Sequence, residues 1–109
     1  MASIFIALTS SPDVPAGQRA LALAESLAGE GQVLTLCCLQ DAVLLGSTRA
    51  PREAGAALGR LRDRGARCLV LGPDLALRGL QRDLHAEAVD YPDVIAALAA
   101  GPDRVAGAF

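Results

Sequence analysis

Sulfur is the most reactive element in this sequence. Cys37, Cys38 and Cys68 are its three thiols, His85 is its one imidazole, and all ten basic residues are arginine. Without lysine, a P-loop phosphate lysine and a Schiff-base lysine are both excluded. A single histidine cannot build a two-histidine metal site, and a histidine-centred triad would need an unusual substitute, so hydrolase chemistry is disfavoured. No metal and no cofactor is expected. No Gly-x-Gly-x-x-Gly follows the first apolar run, and Ser10-Ser11-Pro12-Asp13 would set a carboxylate where a bound phosphate would lie.

A cysteine that carries sulfur must offer its thiolate at a partly exposed, electropositive place, commonly near a helix N-terminus. Cys37 and Cys38 stand instead inside the apolar run Val33–Leu39, where successive side chains point to opposite faces of a strand and both faces should be covered. They read as small core residues. Cys68 follows Arg67 at the start of a third apolar run and is the one candidate catalytic thiol, with Arg67 available to hold a thiolate. Its place at the end of the sheet away from the polar loops favours a packing role. His85, with Asp83 and Glu87 two residues to either side, reads as a surface histidine.

The elements that must position these groups alternate strand and helix. Ile4–Leu8 is a continuous apolar run closed by Thr9, Ser10, Ser11, Pro12 and Asp13, which predicts a buried strand ending in a polar turn. Leu21, Leu23, Ala24, Leu27 and Ala28 recur at helical spacing between Pro15 and Gly29. Val33–Leu39 is a second strand, after which Asp41 is expected to cap a short helical segment reaching Leu45. Pro51 opens a longer helix ending at Gly65, with Ala54, Ala57, Leu58 and Leu61 as its buried stripe. Cys68–Leu71 is the third strand, and Asp74 is placed to cap one helical turn before Gly79. A weaker strand at Ala86–Val89, a helix from Pro92 through Ala100 and a short strand at Arg104–Ala106 complete the chain. Strands apolar on both faces require helices on both sides of the sheet. The expectation is an α/β fold, a three-layer α/β/α sandwich on a mainly parallel sheet of about five strands, forming one domain over residues 1–109.

In an open parallel sheet, ligands gather beyond the carboxyl ends of the strands. Thr9, Ser10, Ser11, Gln40, Asp41, Gly72, Asp74, Asp90 and Tyr91 lie there, and helix capping accounts for most of their polar side chains. The net charge of −2 is spread along the chain, so direct nucleic-acid binding is not expected. Arg60, Arg62, Arg64 and Arg67 are turned around a helix axis with Asp63 among them and read as a solvated face. An odd cysteine count and an N-terminus without a basic stretch or signal-length apolar run predict a cytoplasmic, reducing setting. No apolar stretch approaches the roughly 20 residues that cross a bilayer.

One segment is specific enough to suggest kinship. Leu69-Val70-Leu71-Gly72-Pro73-Asp74-Leu75-Ala76-Leu77-Arg78-Gly79-Leu80 resembles the strand–turn–helix signature of the DsrH/TusB branch of the DsrE-like sulfur-relay proteins, an apolar strand leading into Asp-Leu-x-x-Arg-Gly. Val89-Asp90-Tyr91 is similar to that family's Val-Asp-Tyr element. Leu39-Gln40-Asp41-Ala42-Val43 and Ser11-Pro12 resemble its turns after strands two and one, and Asp103-Arg104-Val105 with Phe109 resembles its terminus. The resemblance implies Asp41, Gly72, Asp74, Arg78, Gly79, Asp90 and Tyr91 as signature positions. It also implies a DsrE-like sandwich that associates with DsrE/TusD-like and DsrF/TusC-like subunits, or with itself, in complexes that pass persulfide sulfur in sulfur oxidation or tRNA thiolation.

The family's thiols do not carry over. The first-helix cysteine of several DsrH proteins falls here at about Ala20 or Leu21, and the strand-three cysteine of the DsrE/TusD type falls at Leu71 and Gly72. A non-catalytic assembly subunit therefore leads. A persulfide carrier using Cys68 and a small-molecule-binding regulatory domain using the polar strand ends are the alternatives.

Overall fold

The computed structural model describes residues 2–107, so the resemblance at Phe109 lies outside the described residues. Five strands, β1 (Ser3–Leu8), β2 (Val33–Cys38), β3 (Arg67–Leu71), β4 (Glu87–Val89) and β5 (Arg104–Ala106), form one sheet in the order β4-β3-β2-β1-β5. Every pairing is parallel. The helices are α1 (Pro15–Gly29), α2 (Arg52–Asp63), α3 (Gly72–Leu77) and α4 (Tyr91–Ala99), with a 3₁₀ helix over Gln40–Gly46. The α/β sandwich and its five strands are those expected, with boundaries moved by a residue or two.

Strand order explains how the layers are filled. The steps from β1 to β2, β3 and β4 all move the same way along the sheet, and right-handed crossovers then place their helices on one face. The step from β4 to β5 runs back across the sheet and lays α4 on the other. The first face holds the main core, in which Ile4, Ile6 and Leu8 of β1 and Leu34, Leu36 and Cys38 of β2 meet Ala20, Leu21 and Ala24 of α1 and Leu58 and Leu61 of α2. Alternation along β1, β2 and β3 sends Phe5, Cys37, Leu69 and Leu71 to the α4 side, where they are also buried. Burying each large side chain contributes roughly 1.5–3 kcal/mol.

The coverage is uneven. Five strands about 4.8 Å apart need more than one helix of roughly 10 Å diameter to close a face. Among the described residues α4 is the one helix on its side of the sheet, and none of its residues is buried.

α1 packs tightly where it enters the core. A Cβ added at Gly17 would collide with the backbone carbonyl of Ser11, so the turn after β1 and the first turns of α1 can approach only through glycine.

Candidate functional site

Because β2 and β3 are parallel neighbours, the chain leaves both at the same end of the sheet, and the segments that follow lie side by side. Gln40, just past β2, has a positive φ of 54° that glycine would adopt more readily, and its backbone N–H donates to Asp74 Oδ2 at 2.7 Å. From the end of α3, Arg78 donates to Asp41 Oδ1 through Nε at 3.1 Å and Nη2 at 3.0 Å, and to the Asp74 carbonyl through Nη1 at 3.1 Å. Asp74 and Arg78, one helical turn apart, thus join the distant Asp41 in one clamp across the ends of two strands.

This corrects two expectations. Neither Asp41 nor Asp74 caps a helix: the 3₁₀ helix and α3 begin at Gln40 and Gly72, and neither has a side-chain cap. A helix of one turn has little to gain from a cap, whereas Asp74 can join its own segment to the neighbouring one and Asp41 can neutralise Arg78. The signal that could have revealed this was the Asp-x-x-x-Arg spacing of Asp74 and Arg78, which sets both on one side of a helical turn.

The remaining signature residues serve the backbone. Gly72 lies where a Cβ would stand 3.3 Å from the Val89 carbonyl oxygen, so β4 can end close beside it. Gly79 turns the chain after α3 with φ +65°. Asp90 caps α4 as expected, accepting from Asp93 N at 3.0 Å while Asp93 Oδ2 accepts from Asp90 N at 3.1 Å. Those backbone and side-chain bonds hold the Asp93 carboxyl below its usual range. Tyr91 begins α4 and is exposed.

All three thiols are buried. Cys37 faces the α4 side, where burial, reinforced by repulsion from Cys68, pushes its thiol up from 9.0 to about 11. Cys38 and Cys68 face the main core with their sulfurs 3.9 Å apart. Its hydrogen bond with Cys68, together with burial, raises the Cys38 thiol well above its ordinary value. Among the described residues no three His, Cys, Asp or Glu side chains are grouped to hold a metal. No described helix is long and apolar enough to cross a membrane.

Cys68 nevertheless forms part of the wall of a cleft of about 570 Å³ at the opposite end of the sheet, together with Arg62, Arg67, His85 and Glu87. Residue spacing alone carries no sign of this cleft, because it depends on the end of α2 meeting the segment before β4. Its charged groups are already engaged. Arg67 forms a fork with Glu87 at 3.2 Å through both Nε and Nη2 rather than turning to the thiol, and Arg62 Nη1 donates to the His85 carbonyl at 2.7 Å. Arg60 pairs with Glu25 and Arg64 reaches the Ala28 carbonyl, so the arginine-rich stretch works as a set of surface ties.

No protein-family model and no curated protein matches the chain. Among solved structures, the crystal structure of the YchN protein from E. coli is similar to it over 97% of each chain, with a TM-score of 0.80 and 18% sequence identity. At that identity the likeness is one of architecture: over the matched span, this chain has the fold of YchN.

Proposed function

We propose that this chain is a DsrH/TusB-like subunit of a sulfur-relay complex, serving intracellular sulfur oxidation or tRNA 2-thiolation through assembly and partner binding rather than by carrying sulfur itself. The observation that carries the reading is the burial of all three sulfurs, with two of the thiols held in their neutral form. A relay cysteine must be reachable by a donor and must ionise to attack it. The Asp41–Asp74–Arg78 clamp supports the family assignment, since it gives signature residues a joint structural task, and the likeness of fold to YchN agrees with it.

Partners on this reading are DsrE/TusD-like and DsrF/TusC-like chains. Co-expression followed by native mass spectrometry should recover a mixed complex, and incubation with a persulfide donor should leave the cysteines of this subunit unmodified. Failure to associate with any such chain, or transferable sulfur on one of its cysteines, would overturn the proposal.

The cleft favours a second reading, in which Cys68 accepts sulfane sulfur beside Arg62 and His85. It requires a mass increase of one sulfur on the peptide holding Cys68 that vanishes in Cys68→Ser.

A further inference from the structure

We infer that Cys68 and Cys38 form a reversible dithiol–disulfide couple, in which a small peroxide entering the cleft oxidises Cys68 and Cys38 resolves it. The couple adds a redox function to the assembly reading and does not rest on it, since no sulfur is passed on.

Position gives the three thiols different tasks. The sulfurs of Cys38 and Cys68 lie 3.9 Å apart in the main core. Alternation along β2 sends Cys37 to the α4 side of the sheet, so it is no partner for Cys68 although it adjoins Cys38 in sequence. Of the facing pair, Cys68 forms part of the cleft wall and is 4% exposed, whereas Cys38 is 0% exposed and does not line the cleft. Hydrogen peroxide is little larger than water, and a cleft of about 570 Å³ admits it.

Charge and protonation set the order of attack. Arg62 bonds at the cleft to a neutral group, the carbonyl of His85, and so keeps its positive charge to favour a thiolate on Cys68. Cys38 holds its proton, because its hydrogen bond with Cys68 and its burial raise its thiol well above the ordinary value. In the first step the Cys68 thiolate attacks one peroxide oxygen. The S–O bond forms, the O–O bond breaks, and the departing hydroxide becomes water with the proton that Cys68 released. Cys68 is thereby oxidised to a sulfenic acid as the peroxide is reduced. In the second step the sulfur of Cys38 attacks that of Cys68. The S–S bond forms, the S–O bond breaks, and the Cys38 proton leaves with the oxygen as a second water.

Register makes the product labile. Leu36 pairs with Cys68 and Cys38 with Val70, so the two cysteines sit diagonally across β2 and β3 rather than opposite each other. Drawing their sulfurs from 3.9 Å to the roughly 2.05 Å of a disulfide pulls a diagonal pair on two hydrogen-bonded strands away from its relaxed spacing. Strain of that kind makes a disulfide easier to reduce, so the bridge closes with an oxidant and reopens with a thiol.

The test exposes the full, reduced chain to hydrogen peroxide and reads thiol titration and intact mass. Titratable thiols should fall from three to one with loss of the mass of two hydrogen atoms, and reduced glutathione should restore all three. Cys37→Ala should close the bridge as wild type does. Cys38→Ala should lose its thiols at least about tenfold more slowly and accumulate a Cys68 sulfenic acid that dimedone labels. Cys68→Ala should form neither product. Should a variant lose its fold, peptide mapping of the wild type replaces it: the native chain should yield the Cys38–Cys68 bridge alone, and the chain oxidised in urea a mixture that includes Cys37–Cys68. A wild type that keeps three thiols, a native bridge to Cys37, a folded Cys38→Ala variant as fast as wild type, or a bridge that glutathione leaves intact would each overturn the inference. A chain that keeps three thiols yet joins DsrE-like and DsrF-like chains loses this inference and leaves the assembly reading standing; one that forms the bridge and joins neither does the reverse.

Discussion

Arg78, at the end of α3, holds the carboxylate of Asp41 through two of its guanidinium nitrogens, 37 residues away along the chain. The Asp41 side chain is largely exposed, so the pair by itself contributes only about 0–1 kcal/mol. Asp74 matters more, because its half-buried carboxylate accepts the backbone N–H of Gln40. Asp74→Ala should lower the unfolding free energy by about 1–2 kcal/mol and Arg78→Ala by about 0.5–1 kcal/mol, measured by urea titration. Equal costs, or a larger one for Arg78, would contradict this division of labour.

Gln40 itself should reveal its left-handed backbone. Gln40→Gly should stay within about 0.5 kcal/mol of wild type, because relief of strain offsets the added chain entropy. Gln40→Val should cost about 1–2 kcal/mol, since a β-branched residue tolerates positive φ poorly. A valine variant as stable as the glycine variant would remove the strain argument.

Two helical glycines should respond with opposite signs. Gly59 lies on the exposed side of α2 with open space where a Cβ would go, and Gly59→Ala should stabilise by about 0.5–1 kcal/mol. At Gly17 the same change drives a methyl group into the Ser11 carbonyl and should cost about 2 kcal/mol or more despite the better helix propensity of alanine. Thermal unfolding of the two variants distinguishes the cases.

The thiols make alkali the vulnerable direction. The Cys37 thiol is raised from 9.0 to about 11 in the folded protein, so the unfolded chain loses its proton first as pH rises. Stability from this group is complete below pH 9 and should fall between pH 9 and about 11, by roughly 2–3 kcal/mol. Cys38 shifts the same way and adds to the loss. Cys37→Ala should flatten part of the pH dependence of urea unfolding across that window. At pH 8, alkylation of the native protein should be at least about tenfold slower than that of the urea-unfolded chain.

Asp90 anchors the start of α4. Asp90→Ala should cost about 1 kcal/mol and increase hydrogen exchange at the first turn of α4. The Asp93 carboxyl is depressed in the folded state, so its contribution is present above the unfolded carboxyl range near pH 3.8 and disappears as pH falls through the lower folded value. An Asp93→Asn variant should lose that acid-side dependence.

Local pattern was enough to read the strands, the helices and the burial of Cys37 and Cys38 from the residues alone, because a run such as Val33–Leu39 has few other stable places to go. The cap at Asp90 was legible for the same reason: acceptor and donor are three residues apart. Asp41 and Asp74 were misjudged as caps because their true partners, Arg78 and the Gln40 amide, become neighbours only when β2 and β3 pair in register. The one-helix cover on the second face was likewise out of reach, since apolar strands call for two covered faces without saying how many helices each receives. Strand order decided that: three crossovers in one direction and one return leave α4 alone over a sheet too wide for it to close. Residue type and spacing determined which segments are buried; chain topology decided which distant residues meet and which side of the sheet is left thinly covered.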